Sequence, residues 1–350
     1  MRFLGESYRN QPSANPVVSI ITIVKKGGEA KFLESLRKQK FDMPFEVFVV
    51  EGGNRSQARN FAIAHSRAPL TSFIDADCDA PSDWIAHLIR SLPDDETIAG
   101  VGGVSSGTDP NSKQDKAVQI VFSTYLGSLN SPSLISFSDA ERCYVGAISA
   151  HNCLYRRSAL IEVGCFDERF ALNEDTNLCA RLRGEGYKLI LDRSSYVRHE
   201  RRDTASFIRQ FFWYGVGRTR TMLTCRKCID IKILTIFLMI VFLALMAPIL
   251  PFLAEAALAG YLLTVAAVGF AAAKRNGVIL LLPRILLLFL VEHGAYLSGL
   301  FAGVFMGRWR KNEMREPMRI TRHQPSALET DVTLSENLVE KIQWALRRSC

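Results

Sequence analysis

From Ile233 to Met306 only Glu255, Lys274, Arg275, Arg284 and Glu292 carry charge, and Ile233 to Leu253 carries none. A bilayer core needs about 20 consecutive apolar residues. A water-soluble core has little use for so much uniformly apolar chain, so residues 231–306 are expected to form transmembrane or interfacial helices. Segments 233–253 and 256–273 read as a hairpin, with Pro248, Pro251 and Glu255 at its outer turn and Lys274-Arg275 back inside. The third segment, 278–306, is interrupted by Pro283-Arg284 and Glu292-His293-Gly294. A full crossing would also put the basic stretch 308–322 outside, against the positive-inside tendency. An interfacial or re-entrant third segment, or two short passes, is expected instead, which leaves two to four crossings open.

The formal net charge of +8 gathers at the borders of this region. Arg and Lys crowd residues 201–232, against Asp203 and Asp230, and again 308–322, against Glu313 and Glu316. Basic clusters beside apolar helices suit an anionic lipid surface. No nucleic-acid module is visible, so nucleic acid is not an expected partner. Residues 1–16 read as a flexible lead-in without the apolar region of a signal peptide, so the chain before residue 230 is expected to stay cytoplasmic. The eight cysteines are scattered, and Cys225-Arg-Lys-Cys228 lacks a second pair at metal spacing. Buried or incidental thiols are the expectation in a reducing compartment. Residues 307–350 read as a basic tail with an amphipathic helix over 333–347, carried by Leu334, Leu338, Ile342 and Leu346.

Before the apolar region, β-rich runs alternate with helical spacing. Strands are expected at Val17–Val24, Phe45–Val50, Leu70–Ile74 and Ile98–Val104, with short ones at Leu189–Leu191 and Ser195–Arg198. Helices are expected over Ala30–Gln39, Ser56–His65, Trp84–Leu92, Ala117–Leu129, Ser158–Val163 and Thr176–Arg183. This alternation predicts an α/β domain over 17–225, with a parallel sheet covered by helices on both faces.

Two acidic sites stand out within it. Phe73-Ile-Asp-Ala-Asp-Cys-Asp79 ends an apolar segment with three carboxylates at every second position. If the strand continues, Asp75, Asp77 and Asp79 share a face. The carboxyl ends of strands are where open α/β sheets bind ligands, and one or two such oxygens suit a hard divalent cation that grips phosphate. The second site, Asn173-Glu174-Asp175, opens a helix, where acidic residues are usual as caps. A carboxylate fixed there and facing a metal-bound phosphate ester can also serve as a general base.

Taken in order, VSIITIVKKG, FEVFVVEGG, SQARNFAIA, FIDADCDAP, YRRSALIEVGCFDERF and NEDTNLCARLRGEGYKL resemble the family-two inverting glycosyltransferases with a GT-A fold, a Rossmann-like nucleotide-diphospho-sugar transferase domain. The likeness is nearest to membrane-anchored bacterial exopolysaccharide enzymes of the succinoglycan-biosynthesis type. It covers residues 17–220 well and the apolar tail more loosely. The resemblance implies that Asp77 holds Mg²⁺ or Mn²⁺ on the nucleotide diphosphate, with Asp75 supporting the ribose or the metal shell. Glu51 would face the nucleoside, and Asp175 of the Glu174-Asp175 pair would take the proton from the acceptor hydroxyl. His199 is a candidate metal or phosphate contact, with an ordinary structural histidine the alternative, and His151-Asn152 could line the acceptor pocket.

Phe207 to Arg218 stands where the family has a Gln-x-x-Arg-Trp-like segment. Arg209, Gln210 and Arg218 there are candidate diphosphate contacts, with an interfacial basic collar as the alternative reading. Trp213-Tyr214 follows Gln210, so Arg-Trp is not intact, which argues for single-sugar transfer over processive polymerisation. The usual Pro of the first strand is also missing near Ile23, and Lys25-Lys26 stands where Arg-Asn is common. The implied enzyme is a hexosyltransferase of the bacterial inner membrane, multi-pass, with its catalytic domain in the cytoplasm. It would pass one sugar from a nucleotide-sugar, UDP-linked on this reading, to a lipid-linked saccharide. A polyprenyl-phosphate sugar synthase and a non-catalytic nucleotide-sugar-binding scaffold are the alternatives.

Overall fold

The computed structural model describes residues 15–25, 31–106, 112–128, 141–170, 172–199 and 204–306, and the backbone of 319–323. The lead-in up to residue 14 and the helix expected over 333–347 lie outside the described residues. In chain order the elements are β1 (Val18–Val24), α1 (Phe32–Leu36), β2 (Phe45–Glu51), α2 (Arg55–His65), β3 (Leu70–Ile74), β4 (Cys78–Asp79), α3 (Trp84–Ser91), β5 (Ile98–Ser106) and α4 (Lys113–Phe122). There follow β6 (Arg142–Tyr144), β7 (Asn152–Arg156), α5 (Arg157–Glu162), α6 (Glu174–Gly184), β8 (Lys188–His199), α7 (Thr204–Thr224), α8 (Ile231–Met246), α9 (Pro251–Arg275), α10 (Leu282–Phe305) and β9 (Arg319–His323). They divide into two compact units, one built of residues 1–106, 140–200 and 310–350, the other of 107–139 and 201–309. α4 and α7 fall in the second unit with the apolar helices.

The first unit is an α/β layer around a sheet of order β4-β8-β5-β7-β3-β1-β2-β9, with β6 beside β8. β1, β2 and β3 run parallel, as do β5 and β8, while β7 lies antiparallel between β3 and β5. The sheet is therefore mixed, where the sequence alternation predicted a parallel one. The two short strands expected at 189–191 and 195–198 are one strand, β8, whose pairing with β5 slips between Gly102 and Val104.

Strand alternation splits the core into two. Ile21, Phe48, Val50, Phe73, Cys153 and Tyr155 point to the side covered by α2, α5 and α6. Val18, Ile20, Val47, Ile74 and Leu154 point to the side covered by α1 and α3. The side-chain period of two makes one strand serve both layers. α2 is set by a capping box: the Asn54 side chain accepts from the Gln57 amide, and the Gln57 side chain accepts from the Asn54 amide.

In the second unit α4, α7, α9 and α10 pack around Val118, Val121, Phe207, Phe211, Val265, Ile285, Leu288 and Phe289. α7 and α10 approach closely at glycines. A Cβ on Gly215 would meet the Tyr296 carbonyl, and one on Gly299 the Phe212 carbonyl. Main-chain atoms cannot turn aside as a flexible side chain would. Gly299→Leu is accordingly expected to force the helices apart and cost about 1–3 kcal/mol, the usual range for overpacking, read as a lower unfolding midpoint in detergent.

α9 and the stretch Ile279–Phe305 are long and apolar enough to cross a membrane. α8 has 16 residues, roughly 24 Å at 1.5 Å per residue, and is shorter than a bilayer core. The segment 278–306, expected to be interfacial or broken, holds one uninterrupted helix from Leu282 to Phe305. Pro283 sits in its first turn, where a missing amide costs nothing. His293 does not interrupt it either: Tyr261 Oη lies 2.9 Å from its Nδ1, and its Nε2 lies 3.0 Å from the Leu126 carbonyl. Glu292 is wholly buried, and neither carboxyl oxygen has a hydrogen-bond partner among the described residues.

Candidate active site

Parallel β1, β2, β3, β5 and β8 send their carboxyl ends to one edge of the sheet, and the candidate residues collect there. Glu51 is the last residue of β2, half-buried. After Ile74 the chain leaves β3 and turns at once, the Cys78 amide donating to the Asp75 carbonyl at 3.1 Å. Asp75 and Asp77 are thus gathered by a tight turn, whereas the sequence pattern assumed a continuing strand. The turn feeds β4, where Cys78 faces His199 and Asp79 faces Arg198 across the ladder.

His199 closes the corner. Its Nε2 lies 3.3 Å from Asp77 Oδ1 and 3.9 Å from Asp75 Oδ2. The side chain of His199 is 19% exposed and those of Asp75 and Asp77 are 39% and 49% exposed. Donor atoms of Asp77, Cys78 and His199 all lie within 4.8 Å of one another. The Cys78 thiol is buried in the core, and burial first, then the charges of Asp75 and Asp77, hold its pKa well above the ordinary thiol value. The ligands open to a cation are therefore carboxylate and imidazole, a set that suits Mg²⁺ or Mn²⁺ keeping waters and taking phosphate oxygens. Asp79 turns away from this corner and pairs with Arg198 at 3.2 Å on the surface.

The expected pocket-lining pair His151-Asn152 is split. His151 is half-buried, its ring 6.3 Å from that of His199, and its carbonyl accepts from the Asp75 amide. Asn152 is fully buried, accepting from Trp84 Nε1 at 2.8 Å and donating to the carbonyls of Val104 and Ser195. It ties four elements together and has no surface to offer an acceptor.

Glu174 and Asp175 open α6 after Asn173, which has left-handed backbone (φ 57°). As successive residues of a helix, the two carboxylates face different surroundings. Glu174 is 4% exposed, with Oε1 2.6 Å from Arg59 Nη1. Burial raises its pKa, and Arg59, Arg55 and the Arg59 hydrogen bond oppose that rise. Removing one partner of such a pair costs roughly 3–5 kcal/mol because a charge is left buried and unmatched. Asp175 is half-buried, and its Oδ1 accepts from the Thr176 amide at 2.7 Å. Of the two it is the one open to a substrate.

Arg59 was absent from the sequence-derived candidates, although SQARN was part of the pattern. The inward face of α2 explains that motif. Ser56 donates to the Phe170 carbonyl, Asn54 to that of Glu168, and Asn60 exchanges two bonds with the Phe166 backbone. Arg209, Gln210 and Arg218 lie on α7, in the other unit. Arg209 is exposed, Gln210 donates to Tyr214 Oη at 2.6 Å, and Arg218 hydrogen-bonds Tyr296.

Residues 25–164 match the model of Glycosyl transferase family 2. That match, over 140 of the 350 residues, supports a family-two glycosyltransferase domain. The match takes in Glu51, Asp75 and Asp77; Glu174, Asp175 and His199 follow it. The succinoglycan biosynthesis protein ExoA of Rhizobium meliloti (strain 1021) is 27% identical over 227 residues, covering 62% of this chain and 64% of that protein. The chain thus matches less than two thirds of that relative's length. Among solved structures, a mannosyltransferase of Pyrobaculum calidifontis in complex with GDP-Man and Mn²⁺ is 16% identical, with a TM-score of 0.49 over 84% of this chain and 88% of that one. GalNAc-T7 with UDP, GalNAc and Mn²⁺ is 13% identical, with a TM-score of 0.40 over 54% and 44%. The observed domain is an α/β fold, and the family match over residues 25–164 is the one the ordered motifs led one to expect.

Proposed function

We propose that this chain transfers a single sugar, with inversion, from a nucleotide-sugar to a saccharide carried on a membrane lipid, in the making of an exopolysaccharide or other bacterial surface glycan. The observation that carries the reading is the corner at the sheet's carboxyl edge, where Asp75, Asp77 and His199 converge. Asp175, open at the start of α6, supplies the base. Asp77, Asp75 and His199 would hold a divalent cation, whose chemistry is to neutralise the charge developing on a departing nucleoside diphosphate. Glu51 at the end of β2 is placed to meet the nucleoside. A UDP-linked donor is the first to try.

Asp175 takes the proton from the acceptor hydroxyl as its oxygen bonds to the anomeric carbon. The bond from that carbon to the diphosphate oxygen breaks, and its electron pair leaves with the nucleoside diphosphate. Attack opposite the leaving group inverts the anomeric centre. Asp175 is preferred over Glu174 because a general base must reach the proton it removes, and Glu174 is buried on Arg59.

The name of the relative in succinoglycan biosynthesis supports the exopolysaccharide setting and a lipid-linked acceptor. α9 and α10 support anchoring in a membrane, which we read as the inner membrane with the glycosyltransferase domain on its cytoplasmic side. Along α8 and α9, Ile236, Leu238, Phe242, Leu262, Leu263 and Phe270 are exposed, an apolar surface suited to lipid and costly in water.

Membranes holding the chain, given a panel of radiolabelled nucleotide-sugars, extracted lipid acceptors and Mg²⁺ or Mn²⁺, are expected to move label into the lipid fraction only with the metal. Label on a lipid monophosphate would identify a polyprenyl-phosphate sugar synthase instead. No transfer across a complete panel would leave a nucleotide-sugar-binding scaffold.

A further inference from the structure

The guanidinium of Arg59 is packed between β3 and the start of α6. It lies 5.8 Å from the centroid of Phe73 and 5.2 Å from that of Phe166, and the two rings meet edge to face at 5.3 Å. Phe73 belongs to β3 and stands two residues before Asp75. On its other side Arg59 holds Glu174, the residue before Asp175, at 2.6 Å. One 4% exposed arginine therefore touches both the strand that leads into the acidic turn and the helix that begins with the base.

We propose that Arg59 is a positioning residue for sugar transfer: by holding Glu174 against β3, it sets where the Asp175 carboxylate stands relative to the Asp75–Asp77 turn. The inference rests on the reading of Asp175 as the base. Three features favour it over a purely structural ion pair. The pair lies at the first turn of α6, so a shift of Glu174 carries Asp175 with it. The preceding residue, Asn173, has left-handed backbone, a conformation held by its surroundings and often found where geometry matters for function. Finally, the rest of the α2 face already fastens this loop through Asn54, Ser56 and Asn60, so Arg59 is not needed merely to attach it.

The chemistry asks for arginine. A planar guanidinium can stack on aromatic faces while its edge donates to a carboxylate, which a lysine ammonium cannot do at once. The charged groups facing Glu174 are Arg59 and Arg55 from α2 and Asp175 from its own helix. Without Arg59, Glu174 would face Asp175 with only Arg55 to offset it, and would take up a proton or turn outward. Either change moves the first turn of α6.

The test uses the full chain in detergent, with UDP and Mn²⁺ as the binding probe and the labelled donor that supports transfer. Arg59→Gln is expected to lower kcat about a hundredfold, the size of effect an ångström of misplacement can produce. UDP–Mn²⁺ affinity should be unchanged, and the acid limb of the kcat–pH profile displaced. Arg59→Lys should recover part of kcat, and Arg59→Gln/Glu174→Gln should be no worse than Arg59→Gln alone.

Parallel losses of UDP–Mn²⁺ affinity, kcat and unfolding midpoint, with no rescue by lysine, would overturn the proposal in favour of a structural role. Wild-type kcat and pH profile in Arg59→Gln, beside an inactive Asp175→Asn, would overturn it while leaving the base intact. An active Asp175→Asn would remove the base, and this proposal with it. Should Arg59→Gln fail to fold, Arg59→Lys and Glu174→Gln carry the same comparisons.

Discussion

Asp175→Asn is expected to abolish most transfer while leaving the fold and the donor site in place. The substitution is nearly isosteric, and an amide oxygen can still accept from the Thr176 amide as Asp175 Oδ1 does. What is lost is the capacity to take a proton. General base catalysis contributes about 10² to 10⁴ in rate, so kcat should fall by that much, with UDP–Mn²⁺ affinity held. The acid limb of the wild-type pH profile, which reports ionisation of the base, should vanish with it. Glu174→Gln must behave differently. It leaves Arg59 buried beside a neutral amide, so its main signature is a lower unfolding midpoint, with a partial loss of kcat. A fully active Asp175→Asn beside an impaired Glu174→Gln would mean that the roles of the two carboxylates had been exchanged.

That asymmetry between neighbours was not legible in the sequence. Glu174-Asp175 reads as a pair of cap-like acids, and nothing local distinguishes them. Their fates diverge because Arg59, 115 positions earlier, takes one of them into the core. The strands that failed to register share this cause. β7 is short and carries no turn signal at its borders. Its place between β3 and β5 is decided by partners a long way off in sequence. β8 looked like two strands because Asp192, Arg193 and Ser194 interrupt its apolar run; Asp192 is in fact buried, bonded to Ser91, Ser194 and Arg142.

What was legible had local causes. β1, β2, β3, α2 and α3 carry their own periodicity, α2 adds its capping box, and each falls within a residue or two of its expected bounds. The acidic run does stand at a strand end, although the geometry that gathers it is a turn. The same division holds among the apolar helices. Pro283 and the Glu292-His293-Gly294 run looked like interruptions, but Pro283 lies in a first turn, and the partners of His293 come from α9 and the segment after α4.

The turn also makes Asp77 and Asp79 unequal, and this gives the second large effect. Asp77→Asn is expected to remove metal-dependent UDP binding and to lower transfer by about a thousandfold or more. A divalent ion's stabilisation of a leaving group is worth several kcal/mol, and each 1.36 kcal/mol is a factor of ten in rate. The variant keeps the size of the side chain but weakens the oxygen donor nearest His199 Nε2. Asp79→Asn breaks only a surface pair with Arg198, both side chains about half exposed, and such pairs are worth about 0–1 kcal/mol. A strand continuing through residue 79 would put Asp75, Asp77 and Asp79 on one face and make the two substitutions comparable. A tight turn at Asp75–Cys78 makes them differ by orders of magnitude. Titrating Mn²⁺ against UDP binding for both variants separates these cases: a shared loss would return Asp79 to the metal corner, and a loss confined to Asp77 would leave the cation between the turn and His199.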